Sequence, residues 1–181
     1  LRGGGQSVDE GFLWSQGVVW SRAESLRTYQ RPEISETALP EDAYSAAVDE
    51  NLAVMDAWFR AHPETEFDVF FPPYSILYWN DVICENHLEA TMAEYQYIAD
   101  RMLAYENVRL FFFPNQEWIV TDLNNYADYS HYHRDINYYM TECFADGNCE
   151  IMSEEEMKQA LDEMRLLIEK FDFEELFSVD Y

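Results

Sequence analysis

The residues whose types and spacing could do chemistry lie in the run Asp122-Leu-Asn-Asn-Tyr-Ala-Asp-Tyr-Ser-His-Tyr-His-Arg-Asp-Ile-Asn137. Asp128 and His131 stand three positions apart in what reads as a polar loop. That spacing lets the carboxylate accept a hydrogen bond from one imidazole nitrogen while the other nitrogen works as a base. A hydrolase triad needs its acid and base in this relation, because the acid fixes the tautomer and steadies the imidazolium that forms. The competing assignment is purely local: Asp128 or Ser130 caps the helix that follows. His133, two residues on, is read as structural, at the start of that helix.

Such a pair needs a rigid frame. Phe67-Asp-Val-Phe-Phe71 is apolar apart from Asp68, the pattern of a buried parallel strand. Pro72-Pro73-Tyr74-Ser75 follows it as a stiff turn, with a cis bond open to it. That turn displays Tyr74 and Ser75 at the sheet edge where ligands of α/β proteins sit, which makes them candidate substrate-binding residues; loop packing is the competing use. A long helix is predicted from Leu77 to Tyr105, with Leu88, Met92, Tyr95, Ala99 and Met102 on its inner stripe and His87 on its solvent face. Val108-Arg-Leu-Phe-Phe-Phe113 is a second strand, completing a βαβ unit. Glu117 to Thr121 then leads into the Asp128/His131 loop, placing it on the same edge as Tyr74 and Ser75, where an α/β site belongs.

The flanking elements follow the same logic. Residues 41–61 form a helix after Pro40, with Val48, Leu52, Met55 and Phe59 on one stripe. A helix runs from His133 to about Phe144. Ser153-Glu-Glu-Glu156 is a capping box that opens a further helix carrying Met157, Leu161, Met164, Ile168 and Phe171. The acidic, aromatic tail from Phe173 reads as a docked terminus. Near the start, Phe12-Leu-Trp14 and Val18-Val-Trp20 are short strands or buried loops, and Arg31 to Pro40 is a surface loop. Ser7, in Gly5-Gln6-Ser7, has the hydroxyl of a nucleophile but lacks the apolar strand that a nucleophile elbow needs.

Composition bounds the function. The 181 residues suit one domain, and 48% apolar content excludes a disordered tail. With 11 basic against 36 acidic residues, a net charge of −25, the surface repels phosphate backbones and anionic lipid, which argues against nucleic acid and membrane-surface partners. It would attract cations or a basic protein partner, or serve solubility alone. No apolar run is long enough for a membrane span, and the first residues show no apolar signal core. The chain starts at Leu1 rather than Met, as expected of a processed product or part of a longer protein. Of the 3 cysteines, Cys84 reads as buried, while Cys143 and Cys149 flank a turn that a disulfide could close. They lack zinc spacing, so neither metal nor cofactor is expected.

Phe70-Phe-Pro-Pro-Tyr-Ser75, Asn107-Val108 opening a strand that ends in Phe, and Asp122-Leu-Asn-Asn-Tyr-x-Asp128-x-Ser-His131-Tyr with Ile136-Asn137 together resemble the C-terminal part of SGNH/GDSL-type hydrolases. The likeness spans about residues 66–140. It leans to the extracytoplasmic branch that includes the D-alanyl transfer protein of teichoic acid operons and alginate O-acetylation proteins. The resemblance implies a three-layer α/β fold, a parallel sheet flanked by helices, as in flavodoxin-like proteins. It implies a bacterial cell-envelope esterase or acyltransferase acting on an acylated glycan or polysaccharide, with Asp128 as orienting acid and His131 as general base. The Gly-Asp-Ser-like nucleophile block and the oxyanion Gly and Asn blocks are not found in this sequence. Either they lie upstream of Leu1, or the chain is a diverged, non-catalytic binding or assembly module.

Overall fold

The computed structural model describes residues 17–178. Ser7 and the Phe12–Trp14 run lie outside the described residues. In chain order the elements are α1 (Arg22–Thr28), α2 (Ser45–Ala61), β1 (Phe67–Phe71), α3 (Ile76–Cys84), α4 (Leu88–Met102), β2 (Val108–Phe112), α5 (Glu117–Val120), α6 (Arg134–Asp146), β3 (Glu150–Ile151), α7 (Glu154–Lys170) and α8 (Phe173–Ser178). The fold is mixed α/β around a small three-stranded sheet of order β1-β2-β3.

β1 and β2 pair in parallel, Phe67 opposite Val108 through Phe71 opposite Phe112. The third strand, absent from the sequence reading, pairs antiparallel with β2 through Leu110 and Ile151. The sheet is therefore mixed rather than all-parallel. An antiparallel neighbour needs only a short reversal, and Gly147 and Cys149 supply it with φ of 75° and 63°. Among the described residues β1 is an edge strand, and it is not buried on both faces as expected: Phe70 is 39% exposed and Asp68 faces solvent. Asp68 stays at the edge because Arg109, directly opposite in register, holds it and Glu150 together.

Aromatic contacts place helices against the sheet. Phe71 and Phe112 meet Tyr95 of α4. Phe70, Phe111 and Phe113 meet Phe144 of α6. Alternate residues of a strand point to opposite faces, so α4 and α6 cover opposite sides of β2. α7 packs on α4 through the stripe Met157, Leu161, Met164 and Ile168, all buried. Its capping serine works as read: Ser153 Oγ accepts from Glu156 N–H at 3.2 Å. Glu156, however, reaches back to Met152 N–H at 2.7 Å, one residue before the cap.

The expected Leu77–Tyr105 helix is broken into α3 and α4. Asn86 takes φ 60°, a conformation Asn tolerates better than most residues, and the break closes with Asn86 N–H to Ile83 O and His87 N–H to Val82 O. His87 is consequently not on a solvent face: it begins α4, half-buried, with Nδ1 3.3 Å from the Tyr44 hydroxyl. α2 starts at Ser45 rather than after Pro40, because residues 41–44 form a turn closed by Ala43 N–H to Pro40 O. Glu117 to Val120, which leads from β2 into the Asp128/His131 loop, is a short helix. Peptides across Pro72 and Pro73 are trans. Cys84, Cys143 and Cys149 are free thiols, so no disulfide joins Cys143 to Cys149 here. No helix among the described residues is long and apolar enough to cross a membrane.

Phe111 and Phe70, neighbours on the face that packs on Phe144, differ in burial and give a stability test. Phe111 is fully buried, so Phe111→Ala should cost about 3–5 kcal/mol. Phe70→Ala, at the partly exposed edge, should cost about 1 kcal/mol or less. Urea melts of both variants check this; equal costs would contradict the edge position of β1.

Candidate functional site

The loop from Asp122 to His133 is built by its own polar side chains. Asp122 Oδ1 accepts from Asn124 N–H at 3.0 Å and starts the 3₁₀ turn Leu123–Asn125. Tyr126 and Tyr132 then face each other in an isolated antiparallel bridge. Ala127 N–H donates to His131 O at 3.0 Å, and His133 N–H to Asn125 O at 2.6 Å. The loop thus closes as a small hairpin with Asp128 and His131 near its tip.

At that tip the two residues meet. His131 Nδ1 is 2.7 Å from Asp128 Oδ2. The other carboxylate oxygen, Oδ1, accepts from the Ser130 and His131 backbone N–H groups, both at 2.8 Å. Ser130 Oγ lies 3.4 Å from Oδ1 and 3.5 Å from His131 Nδ1. Partial burial alone would raise the Asp128 carboxyl. The bonds from His131 N–H, Ser130 N–H and the His131 ring outweigh it and hold the group below the ordinary carboxylate range. The imidazole is 61% exposed, so the pair adds little to stability; its effect is orientation.

Neighbouring elements hold the hairpin in place. Tyr126, fully buried, donates its hydroxyl to Pro73 O at 2.7 Å. Ser75 Oγ donates to Tyr129 O at 2.6 Å and accepts from Leu77 N–H at 3.2 Å. Ser75 is therefore not displayed at the sheet edge: it is 0% exposed and its hydroxyl is committed at both ends, to the loop and to the start of α3. Tyr74 is placed differently. It lines the same open cleft as His131, about 610 Å³ in volume, along with Trp20, Phe70, Pro72 and Tyr132. From the other side α1 braces the loop: Ser25 Oγ donates to Tyr126 O at 3.0 Å, and Ser21 N–H to the same carbonyl at 3.2 Å. Trp20 meets His133 edge-on at 5.2 Å, and His133 caps α6 by accepting from Asp135 N–H.

Sequence reasoning missed Trp20, Ser21 and Ser25. They lie about a hundred residues from the loop they touch, and nothing in their local pattern signals the contact. Asn137, named with the loop motif, lines the cleft one turn into α6. Chemically, a carboxylate pinned by two backbone donors fixes one imidazole nitrogen, an arrangement in which any proton transfer by the ring would run through the other, Nε2. No family model, no curated protein and no solved structure matches this chain.

Because the folded Asp128 pKa lies below its ordinary value, ionised Asp128 favours the folded state. That contribution is complete above the ordinary pKa of about 3.9 and drains away as pH falls through the folded value. Asp128→Asn should remove it, flattening the acid side of the stability–pH curve by at most about 1 kcal/mol. Urea melts between about pH 6 and pH 3 check this; an unchanged acid slope would mean that the carboxylate is not held as described.

Proposed function

We propose that this chain carries the acid and base of an ester-hydrolase or acyl-transfer centre of SGNH type, acting on an acylated glycan or polysaccharide in an extracytoplasmic setting. The observation that carries the reading is the 2.7 Å contact between Asp128 Oδ2 and His131 Nδ1, with the opposite carboxylate oxygen anchored by backbone amides at the rim of a cleft. In this reading Asp128 sets the tautomer. His131 takes the proton of an attacking hydroxyl through Nε2 and returns it to the leaving group, while Asp128 steadies the imidazolium between the two steps. Tyr74 shapes the substrate side of the cleft, and Ser75 acts by fixing the loop rather than by touching substrate. Parallel β1 and β2, with α4 and α6 on opposite faces, favour the three-layer arrangement that goes with this family. The antiparallel β3 departs from an all-parallel sheet.

Ser130 does not fit the nucleophile role, since its hydroxyl lies beside Nδ1 and the carboxylate, on the nitrogen already engaged. The commitment of both Ser75 and Ser130 favours one rival, a non-catalytic module that keeps the loop and recognises a ligand without turning it over. Its partner would be drawn by the net charge of −25, as a basic protein is.

A fluorophosphonate probe, which captures a serine activated by a nearby base, distinguishes the two. The expected outcome is one labelled serine, mapped by mass spectrometry. His131→Ala should abolish the labelling and ester turnover while moving Tm by no more than a degree or two, because the ring is exposed. Absence of labelling in the full-length protein as well as in this chain would overturn catalysis in favour of the binding module.

A further inference from the structure

A second group of reactive side chains sits at the far end of α6 from the Asp128/His131 loop. Tyr139 and Cys143 are four residues apart on α6 and share a helix face. Gly147 ends the helix, its N–H donating to Cys143 O at 2.8 Å. The chain then reverses through Cys149, whose φ of 63° is uncommon for a residue with a Cβ. Phe112 N–H donates to the Cys149 carbonyl at 2.9 Å, which ties that residue to β2. The reversal brings Cys149 Sγ to 3.6 Å from the Tyr139 hydroxyl. Cys143 stands one helical turn beyond Tyr139, so the two thiols lie on either side of the same hydroxyl. Cys143 is buried and Cys149 half-buried, so an outside reagent reaches Cys149 first. Cys84 lies in α3, outside this cluster.

We propose that Cys143 and Cys149 are a redox pair that closes, on oxidation, into an intrachain disulfide across the turn between α6 and β3. With a small-molecule disulfide such as oxidised glutathione, the Cys149 thiolate attacks one glutathione sulfur. A mixed disulfide forms and one reduced glutathione leaves. The Cys143 thiolate then attacks the Cys149 sulfur and expels the second. Two protein thiols lose two protons and two electrons, and the electrons end on the two released glutathione thiols. Burial pushes the Cys149 thiol up, so exchange speeds up above neutral pH. The bond would stiffen the frame behind the cleft. Tyr139, between the two ends of α6, also donates to Gln116 Oε1 at 3.2 Å and packs on Trp118 with ring centres 5.0 Å apart. Trp118 O in turn accepts from Asn125 of the loop at 3.3 Å.

The folded chain is equilibrated across a glutathione redox series, blocked with N-ethylmaleimide, digested and analysed by mass spectrometry. The expected result is a Cys143–Cys149 linked peptide, a whole-chain mass lower by two hydrogens, and a Tm higher by about 5 °C in the oxidised form. Cys149→Ser, in the half-buried turn, should lose both the link and the Tm gain. Thiols that take up the blocking reagent at every redox ratio, a glutathione adduct that never resolves, or a link to Cys84 would each overturn the proposal.

Discussion

Parallel pairing of Phe67–Phe71 with Val108–Phe112 is the constraint on which the rest depends. Parallel strands cannot be joined by a tight turn, so the chain must cross over, and here α3 and α4 make that crossing. The same geometry sends both strands out at one edge. Pro72-Pro73 leaves β1 there, and the segment leading to Asp128 and His131 leaves β2 there. Two hydrogen bonds then fasten one exit to the other, Tyr126 hydroxyl to Pro73 O and Ser75 Oγ to Tyr129 O. The candidate site is the product of that fastening.

The polar loop can be precise although it lies at the surface because its amides are used internally. Asp122, Asp128, Asn124 and Asn125 each satisfy backbone or side-chain groups that a loop normally leaves to water. α1 contributes the remaining bonds through Ser21 and Ser25, at the cost of burying a serine completely. Asp128 consequently sits between two opposing effects, partial desolvation and three donors, and the donors prevail.

Elsewhere the acidic excess is managed by a few arginines in fixed places. Arg109 gathers Glu150 and Asp68 across the three strands and lies over the Phe111 ring. Arg165 of α7 makes two bonds to Glu89 of α4, joining the helices that pack together above the sheet. Arg31 holds Glu174 and lies over Phe177, docking α8 onto the chain after α1. Exposed pairs of this kind add little stability singly, but each fixes the register of an element whose apolar face does the main packing.

Local pattern by itself determined the helices α2 and α7, by apolar spacing and the cap Ser153, and the strands β1 and β2, by continuous apolar runs, because these are signals that packing had no reason to override. Asp128 and His131 were legible for the same reason: an acid and a base three residues apart need only their own turn to meet. What the sequence left undecided depended on distant partners or on single backbone angles. The break at Asn86 rests on one left-handed residue inside an apolar run. β3 is too short to carry a pattern and forms only because the turn after Gly147 returns it to β2. Ser75 reads as a displayed hydroxyl until Tyr129, 54 residues later in the chain, arrives to bury it, and Trp20 joins the cleft only when α1 closes over the loop. A side chain's burial and its hydrogen-bond partners are properties of the assembled chain, so only the tertiary structure could decide them.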